Sequence, residues 1–187
     1  MKILVGLGNP GKEYERTPHN AGFITLDLLA VNLRGLGYVV EDWHEIKKEK
    51  SILSEVFSGD GRRIAVLVKP QTYMNLSGGA VQQVMAKYGV KSAEDVLIIY
   101  DELDIALGLF KYSPIRNSRT HKGIGSVIST VGKTVQSFRI GVDNRTIRYI
   151  PGQDYVVMAY TTAELSSLSQ AADKGIAQHV LPFLGLV

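Results

Sequence analysis

Short, continuous apolar runs constrain the fold of this 187-residue chain more than any other feature. Residues 2–7 form one such run and residues 96–100 another, and a polar turn follows each of them. Runs of this length are typical of central strands in a parallel sheet, because helices cover both faces of such a sheet. The first run therefore predicts an opening strand rather than the apolar core of a secretion signal.

Segments with helical spacing separate the predicted strands. Leu26, Leu29 and Leu33 recur at that spacing in the first of them. Four helices are predicted, at residues 22–34, 76–88, 123–131 and 163–184. Four further strands are predicted, at residues 51–57, 63–68, 107–113 and 137–142. This alternation predicts an α/β fold, a single domain over residues 1–187 whose twisted, mostly parallel mixed sheet has helices on both faces.

The composition is that of an ordinary soluble protein, with 45% hydrophobic and 21% charged residues. The chain has no cysteine, which excludes disulfides, thiolate metal sites and a cysteine nucleophile. We find no run of about 20 apolar residues that would predict a membrane span. These observations favour a cytoplasmic protein that does not enter a membrane.

Positive charge is concentrated in residues 109–150. This stretch holds one of the 18 acidic residues, Asp143, and eight of the 21 basic residues. The eight are Lys111, Arg116, Arg119, Lys122, Lys133, Arg139, Arg145 and Arg148. Such asymmetry predicts a face that binds a polyanion such as nucleic acid, although a basic solvated surface without a partner has the same composition.

A glycine-rich turn follows the first strand, where residues 6–11 read GLGNPG. The letters match the G-x-G-x-x-G pattern of dinucleotide-binding turns, but that function requires the turn to open a helix directly. Here Pro10 and about ten polar residues come before the next helical pattern. A tight turn that uses glycine for unusual backbone angles is the favoured interpretation. The turn would also serve to direct Asn9 into a cleft.

Two candidate catalytic residues follow predicted strands. His19 lies in the loop after the first strand, and Asp101 lies at the end of the strand predicted at residues 96–100. Ligands of open α/β sheets bind at this edge, where a carboxylate can orient an imidazole as a general base. An unrelated surface histidine and a capping aspartate remain the alternative. The carboxylates of Asp101, Glu102 and Asp104 are weak evidence for a metal.

Four blocks of the sequence form a pattern when taken together. The blocks are residues 6–11 with Tyr14 and the HNAG of residues 19–22, KPQTYMNLSG at residues 69–78, YDELD at residues 100–104 and FRIG at residues 138–141. In this order and spacing they resemble bacterial-type peptidyl-tRNA hydrolases. The resemblance covers about residues 1–185. It implies a monomeric cytoplasmic enzyme that hydrolyses the ester between the peptide and the 3′-terminal ribose of tRNA, without a metal or other cofactor.

The resemblance also implies roles for individual residues. His19 would be the catalytic base that activates water, and Asp101 would orient it. Asn9 and Asn75 would bind the peptide and the reacting carbonyl. The other positions implied to bind substrate or tRNA are Tyr14, Met74, His121, Lys122 and Arg139. The basic stretch at residues 109–150 would meet the phosphates of the tRNA acceptor end, which supply affinity without reading sequence.

One segment departs from the family pattern. Members usually carry a glycine-rich loop and then His-Asn-Gly, whereas residues 116–120 here read RNSRT and Lys122 follows His121 in place of asparagine. Lysine cannot accept a hydrogen bond, so it either binds the tRNA 3′ end more strongly or alters the cleft and lowers activity. This departure leaves open a tRNA-binding module that has lost catalysis. A hydrolase of other N-acyl esters or amides is the second alternative, and a dinucleotide-binding enzyme is the third.

Overall fold

The computed structural model describes residues 1–115, 121–131, 135–145 and 150–186. The strands within these residues are β1 (Lys2–Gly6), β2 (Val39–Val40), β3 (His44–Ile46), β4 (Ser51–Phe57), β5 (Arg63–Pro70), β6 (Val96–Ala106), β7 (Phe110–Ile115) and β8 (Val135–Asp143). The α-helices are α1 (Ala21–Gly35), α2 (Ser77–Lys87), α3 (Lys122–Val131), α4 (Gly152–Tyr155), α5 (Thr162–Gly175) and α6 (Leu181–Phe183).

The strands form one mixed sheet in the order β2-β4-β5-β1-β6-β8-β7, and β3 pairs with β4 outside this order. The four central strands, β5, β1, β6 and β8, pair in parallel. Antiparallel pairing occurs toward the two edges, where β2 and β3 pair with β4, β4 pairs with β5, and β7 pairs with β8. This arrangement confirms the predicted α/β fold with a mixed sheet.

Helices cover both faces of the sheet, as predicted. Along β1, Leu4 packs into an apolar cluster that includes residues of α1 and α5. Its neighbours Ile3 and Val5 pack on the opposite face, into a cluster that includes residues of α2 and α3. Burial on both faces explains why β1 is apolar after Lys2. Within the described ranges, none of the helices combines the length and apolar character that crossing a membrane requires.

The main difference from the sequence prediction is the length of β6. The strand was predicted to end at residue 100, but it continues to Ala106 and stays paired with β8 after a register shift beyond Glu102. Its neighbour β1 makes its last pair through Gly6 and Ile99. Most residues of the extension are only partly buried or exposed, so polar side chains are tolerated there and the continuous apolar run ends at Tyr100.

The predicted last helix is also interrupted. Helix α5 ends at Gly175, a π-helical turn spans Ile176–Val180, and α6 follows. The short elements β2, β3 and α4 were not predicted, because two to four residues are too few to establish a period.

Glycines bring the chain around β1 and α1 into close contact. A Cβ atom at Gly22 would lie 2.4 Å from the Ile99 carbonyl oxygen, and one at Gly6 would lie 2.4 Å from the Gly22 carbonyl oxygen. A Cβ at Gly8 would lie 2.9 Å from the Phe23 ring. In the GLGNPG turn only Gly11 has a positive φ, of 118°. The expectation of unusual backbone angles is therefore wrong for the first two glycines, which allow close packing instead.

Candidate active site

The connection from β1 to α1 holds Asn9 and His19 side by side. Asn20 links its two ends, since its Oδ1 accepts from the Asn9 backbone N–H at 2.8 Å and its Nδ2 donates to the Asn9 carbonyl at 3.1 Å. A 3₁₀ turn at Pro18–Asn20 presents His19, whose backbone N–H donates to the Val156 carbonyl at 2.8 Å. The backbone of both residues is therefore fixed before any substrate binds.

His19 and Asp101 are in contact just beyond the point where β1 ends beside β6, as the sequence predicted. The His19 Nδ1 lies 3.0 Å from each carboxylate oxygen of Asp101, and only 2% of Asp101 is exposed. Because an ionised carboxylate only accepts, Nδ1 carries the proton and the neutral ring has its lone pair on Nε2. The Nε2 atom has no partner in the part of the chain that the structure describes, and His19 lines a cleft.

A second imidazole holds the same carboxylate, a contact that the sequence did not predict. The His121 Nε2 lies 3.0 Å from Asp101 Oδ1, and the Ile124 backbone N–H donates to His121 Nδ1 at 3.3 Å. Since Nδ1 accepts, Nε2 carries the proton and donates to Asp101. Burial would raise the pKa of Asp101, but the electrostatic attraction to the His121 N–H and the hydrogen bonds from both rings outweigh it. They hold the pKa well below its ordinary value.

The side-chain amide of Asn9 is oriented by the main chain. Its Oδ1 accepts from the Met74 backbone N–H at 3.2 Å. Because a backbone N–H can only donate, this contact assigns the oxygen and leaves the Asn9 Nδ2 as the donor toward the cleft. An amide held in this way is suited to hydrogen-bond a carbonyl oxygen or an oxyanion.

These groups open into one cleft of about 980 Å³. The cleft is lined by Asn9, His19, Tyr73, Met74, Asn75, Asp101, Glu102, Leu103, Asp104, His121, Lys122, Arg145, Gly152, Gln153, Val156 and Val157. Seven of the nine residues that the sequence proposed are therefore brought together. The other two, Tyr14 and Arg139, are not among the lining residues. Tyr14 ends a 3₁₀ turn, and the Arg139 Nη2 donates to Ser113 Oγ at 2.8 Å.

Two lining residues lie at the starts of helices. Asn75 lies in a 3₁₀ turn, and α2 begins at Ser77 rather than at the predicted residue 76. Asn75 is exposed and is thus available to a ligand. Lys122 is the exposed first residue of α3. A Cβ at Gly123 would lie 2.4 Å from Met74 Sδ, so glycine lets α3 pack against the cleft wall there.

The cleft wall formed by Arg145 and α4 was not predicted from the sequence. Arg145 was counted only as one charge of the basic stretch, and Val156 was not considered. The segment that holds them shows neither helical nor strand periodicity, so its only signal was the charge of Arg145. Of the eight basic residues, Arg116, Arg119, Lys133 and Arg148 lie outside the described residues. The structure therefore describes only half of the predicted basic face.

His19, Asp101 and His121 also raise the question of a metal, because one ligand atom from each lies within 4.8 Å of the others. A histidine that binds a metal normally donates its second ring N–H to an acceptor. Here the Ile124 backbone N–H faces His121 Nδ1, so a proton on that nitrogen would face another donor. The arrangement fits hydrogen bonds to Asp101 better than metal ligation.

Comparison with known proteins gives a consistent result. A family model described as "Peptidyl-tRNA hydrolase" matches residues 3–183. The peptidyl-tRNA hydrolase of Exiguobacterium sp. is 36% identical over 94% of this chain and 90% of its own length, and that of Aquifex aeolicus is 34% identical over 94% and 86%. The crystal structure of peptidyl-tRNA hydrolase from Acinetobacter baumannii superposes with a TM-score of 0.81 at 27% identity, covering 99% of this chain and 89% of that one.

Proposed function

The chain belongs to the peptidyl-tRNA hydrolase family and hydrolyses peptidyl-tRNA, and we propose that it does so with a water molecule activated by His19. The observation that carries this proposal is the contact of His19 Nδ1 with both oxygens of the buried Asp101, at 3.0 Å. That contact fixes the tautomer and leaves Nε2 as the base on the cleft side.

In the proposed reaction, the His19 Nε2 takes a proton from water while the water oxygen adds to the ester carbonyl. The Asn9 Nδ2 donates a hydrogen bond to the oxyanion that forms. Collapse of this intermediate breaks the bond to the 3′-terminal ribose, and the proton on Nε2 passes to the departing ribose oxygen. The products are a free peptide carboxylate and tRNA. Asp101 stays ionised throughout and stabilises the imidazolium.

We further propose that the acceptor end of tRNA binds next to Asn75 and Lys122. Both are exposed residues of the cleft, and lysine can neutralise a phosphate. Tyr14 and Arg139 would contact the tRNA beyond the cleft, together with those basic residues of the stretch 109–150 that do not line the cleft. His121 and Met74 would bind the substrate from the cleft wall. A monomer in the cytoplasm, acting without a metal, completes the proposal.

The release of tRNA from N-acetyl-aminoacyl-tRNA tests this function. We expect purified protein to release tRNA in the presence of EDTA. In H₂¹⁸O, the label should enter the carboxylate of the N-acetyl amino acid, because water attacks the carbonyl carbon. Label in the ribose hydroxyl would contradict the mechanism. Binding of tRNA without release would favour a module that has lost catalysis, and turnover of small N-acyl esters without benefit from tRNA would favour a hydrolase of another ester.

A further inference from the structure

Arg145 is the one guanidinium among the described residues that line the cleft, and contacts on several sides immobilise it. Its Nε and Nη2 donate to the two Asp143 carboxylate oxygens at 2.7 and 3.2 Å. Its Nη1 donates to the Ile150 carbonyl at 3.1 Å, and the guanidinium carbon lies 5.5 Å from the centre of the Tyr155 ring. A side chain held this way loses little entropy when it binds a ligand.

The guanidinium retains hydrogen-bonding capacity. It has five N–H groups, and three of them make the bonds to Asp143 and Ile150. The other two, one on each terminal nitrogen, have no acceptor among the residues that the structure describes. Because Arg145 lines the cleft, these two groups are fixed donors for a bound molecule.

The charge around Arg145 decides what kind of acceptor fits. Asp143 neutralises the guanidinium through two hydrogen bonds. A Cβ at Gly152 would lie 2.7 Å from Leu103 and 3.7 Å from Arg145 Nη1, so Leu103 and the guanidinium both lie next to Gly152. The residues on either side of Leu103 are the acidic Glu102 and Asp104, which also line the cleft. A phosphate would be repelled from this wall, whereas a neutral carbonyl oxygen can accept from the two N–H groups.

The position of Arg145 relative to His19 indicates which carbonyl it meets. Val156 bonds to His19, and Gly152, beside Arg145, lies four residues earlier at the start of α4. Four residues of helix span about 6 Å, which corresponds to about two residues of extended peptide. If the peptide of the substrate runs from the reacting carbonyl along α4, a peptide unit upstream of its esterified residue would therefore lie next to Arg145.

We propose that Arg145 is a specificity-determining residue that binds a backbone carbonyl of the peptide, upstream of its last residue. The inference rests on the proposed function, and it makes the enzyme select longer peptidyl chains over single N-acylated residues. The acidic residues on the same wall repel the RNA backbone from this part of the cleft, so the bound tRNA extends out of the cleft on the side of Lys122.

The test compares two substrates that share one tRNA and one esterified amino acid: the N-acetyl-aminoacyl form and a tripeptidyl form. For Arg145→Met we expect KM for the tripeptidyl substrate to rise about 10-fold or more, as for the loss of a hydrogen bond from a charged donor. KM for the N-acetyl substrate should change less than about twofold, and kcat should be unchanged for both. Arg145→Lys, which keeps the charge but not the fork, should give an intermediate KM.

Lys87→Met is the matched control, because Lys87 lies at the end of α2, outside the cleft. If Arg145→Met lowers the melting temperature, the comparison is repeated with the double variant Asp143→Asn/Arg145→Met, which also removes the charge of the carboxylate that the guanidinium contacts. Equal KM increases for the two substrates would overturn the proposal, as would weaker binding of deacylated tRNA, which would indicate a phosphate contact. Wild-type protein that cleaves neither substrate would instead contradict the proposed function itself.

Discussion

At the scale of single residues, the site depends on Asp101 being ionised while buried. Two imidazoles contact the carboxylate, His19 through Nδ1 and His121 through Nε2, each at 3.0 Å. The Ile124 backbone N–H fixes the tautomer of His121, and Asp101 fixes that of His19. The carboxylate therefore orients the His19 ring and would stabilise it once it takes a proton.

The lowered pKa of Asp101 predicts a pH-dependent contribution to stability. A carboxyl group whose pKa is lower in the folded state stabilises the fold above its unfolded pKa of about 3.9, and this contribution is lost as the pH falls toward the folded value. We expect wild type to be more stable than Asp101→Asn at pH 6, with a difference that shrinks below about pH 4. Urea unfolding of both proteins at pH 6, 4 and 3 measures it, and a difference independent of pH would contradict this account.

The sequence predicted the residues of the site better than their contacts. His19 and Asp101 were placed together because both follow predicted strands of a parallel sheet, whose carboxyl ends lie on the same side. The contact of His121 with the same carboxylate was not predicted, since no period or spacing relates a loop residue to a strand 20 positions earlier. Arg145 was missed for a similar reason, because its role depends on α4 and on Asp143.

At the scale of elements, the position of His19 depends on how closely α1 approaches the sheet. Gly22 lies in the first turn of α1, directly after the turn that carries His19. Its α-carbon faces the backbone of Ile99 in β6 and of Leu7 after β1. Any side chain at this position would push the helix away from both strands and would displace the base from Asp101.

Gly22→Ala tests this approach. The added Cβ would lie 2.4–2.6 Å from backbone oxygen and nitrogen atoms, so we expect a loss of about 1–3 kcal/mol in unfolding free energy. Gly35→Ala, at the other end of the same helix, has nothing within 4 Å and should be neutral or stabilising by up to about 1 kcal/mol. Chemical denaturation of the two variants measures both values. Similar stabilities for the two would show that α1 can shift without cost.

At the scale of the whole molecule, the sequence predicted the fold class and the order of its main elements. In central strands such as β1 and helices such as α1, the spacing of apolar residues follows the buried positions, and this spacing was sufficient to predict both elements. The extension of β6, the π-helical turn before α6 and helix α4 carry no such pattern, since pairing and packing with distant segments determine them. A single domain over residues 1–187 remains our proposal.

Lys122 is the residue through which we expect this chain to differ most from its relatives in tRNA binding. If Lys122 neutralises one phosphate, Lys122→Asn should weaken tRNA binding at low salt and reduce the slope of log K against log salt by about 0.7–0.9. Binding titrations between about 50 and 200 mM salt measure this, with Lys87→Asn as the control. An unchanged slope together with faster turnover would show instead that Lys122 lowers the activity of the enzyme.

The central claim is that His19 is the base of a hydrolase. The most direct measurement is the single-turnover rate of tRNA release from N-acetyl-aminoacyl-tRNA by wild type and His19→Ala, with the affinity for tRNA measured in parallel. We predict that the variant loses about 10²–10⁴-fold in rate, the usual contribution of a general base, while its affinity changes less than about threefold. Equal rates for the two proteins would contradict the assignment of His19.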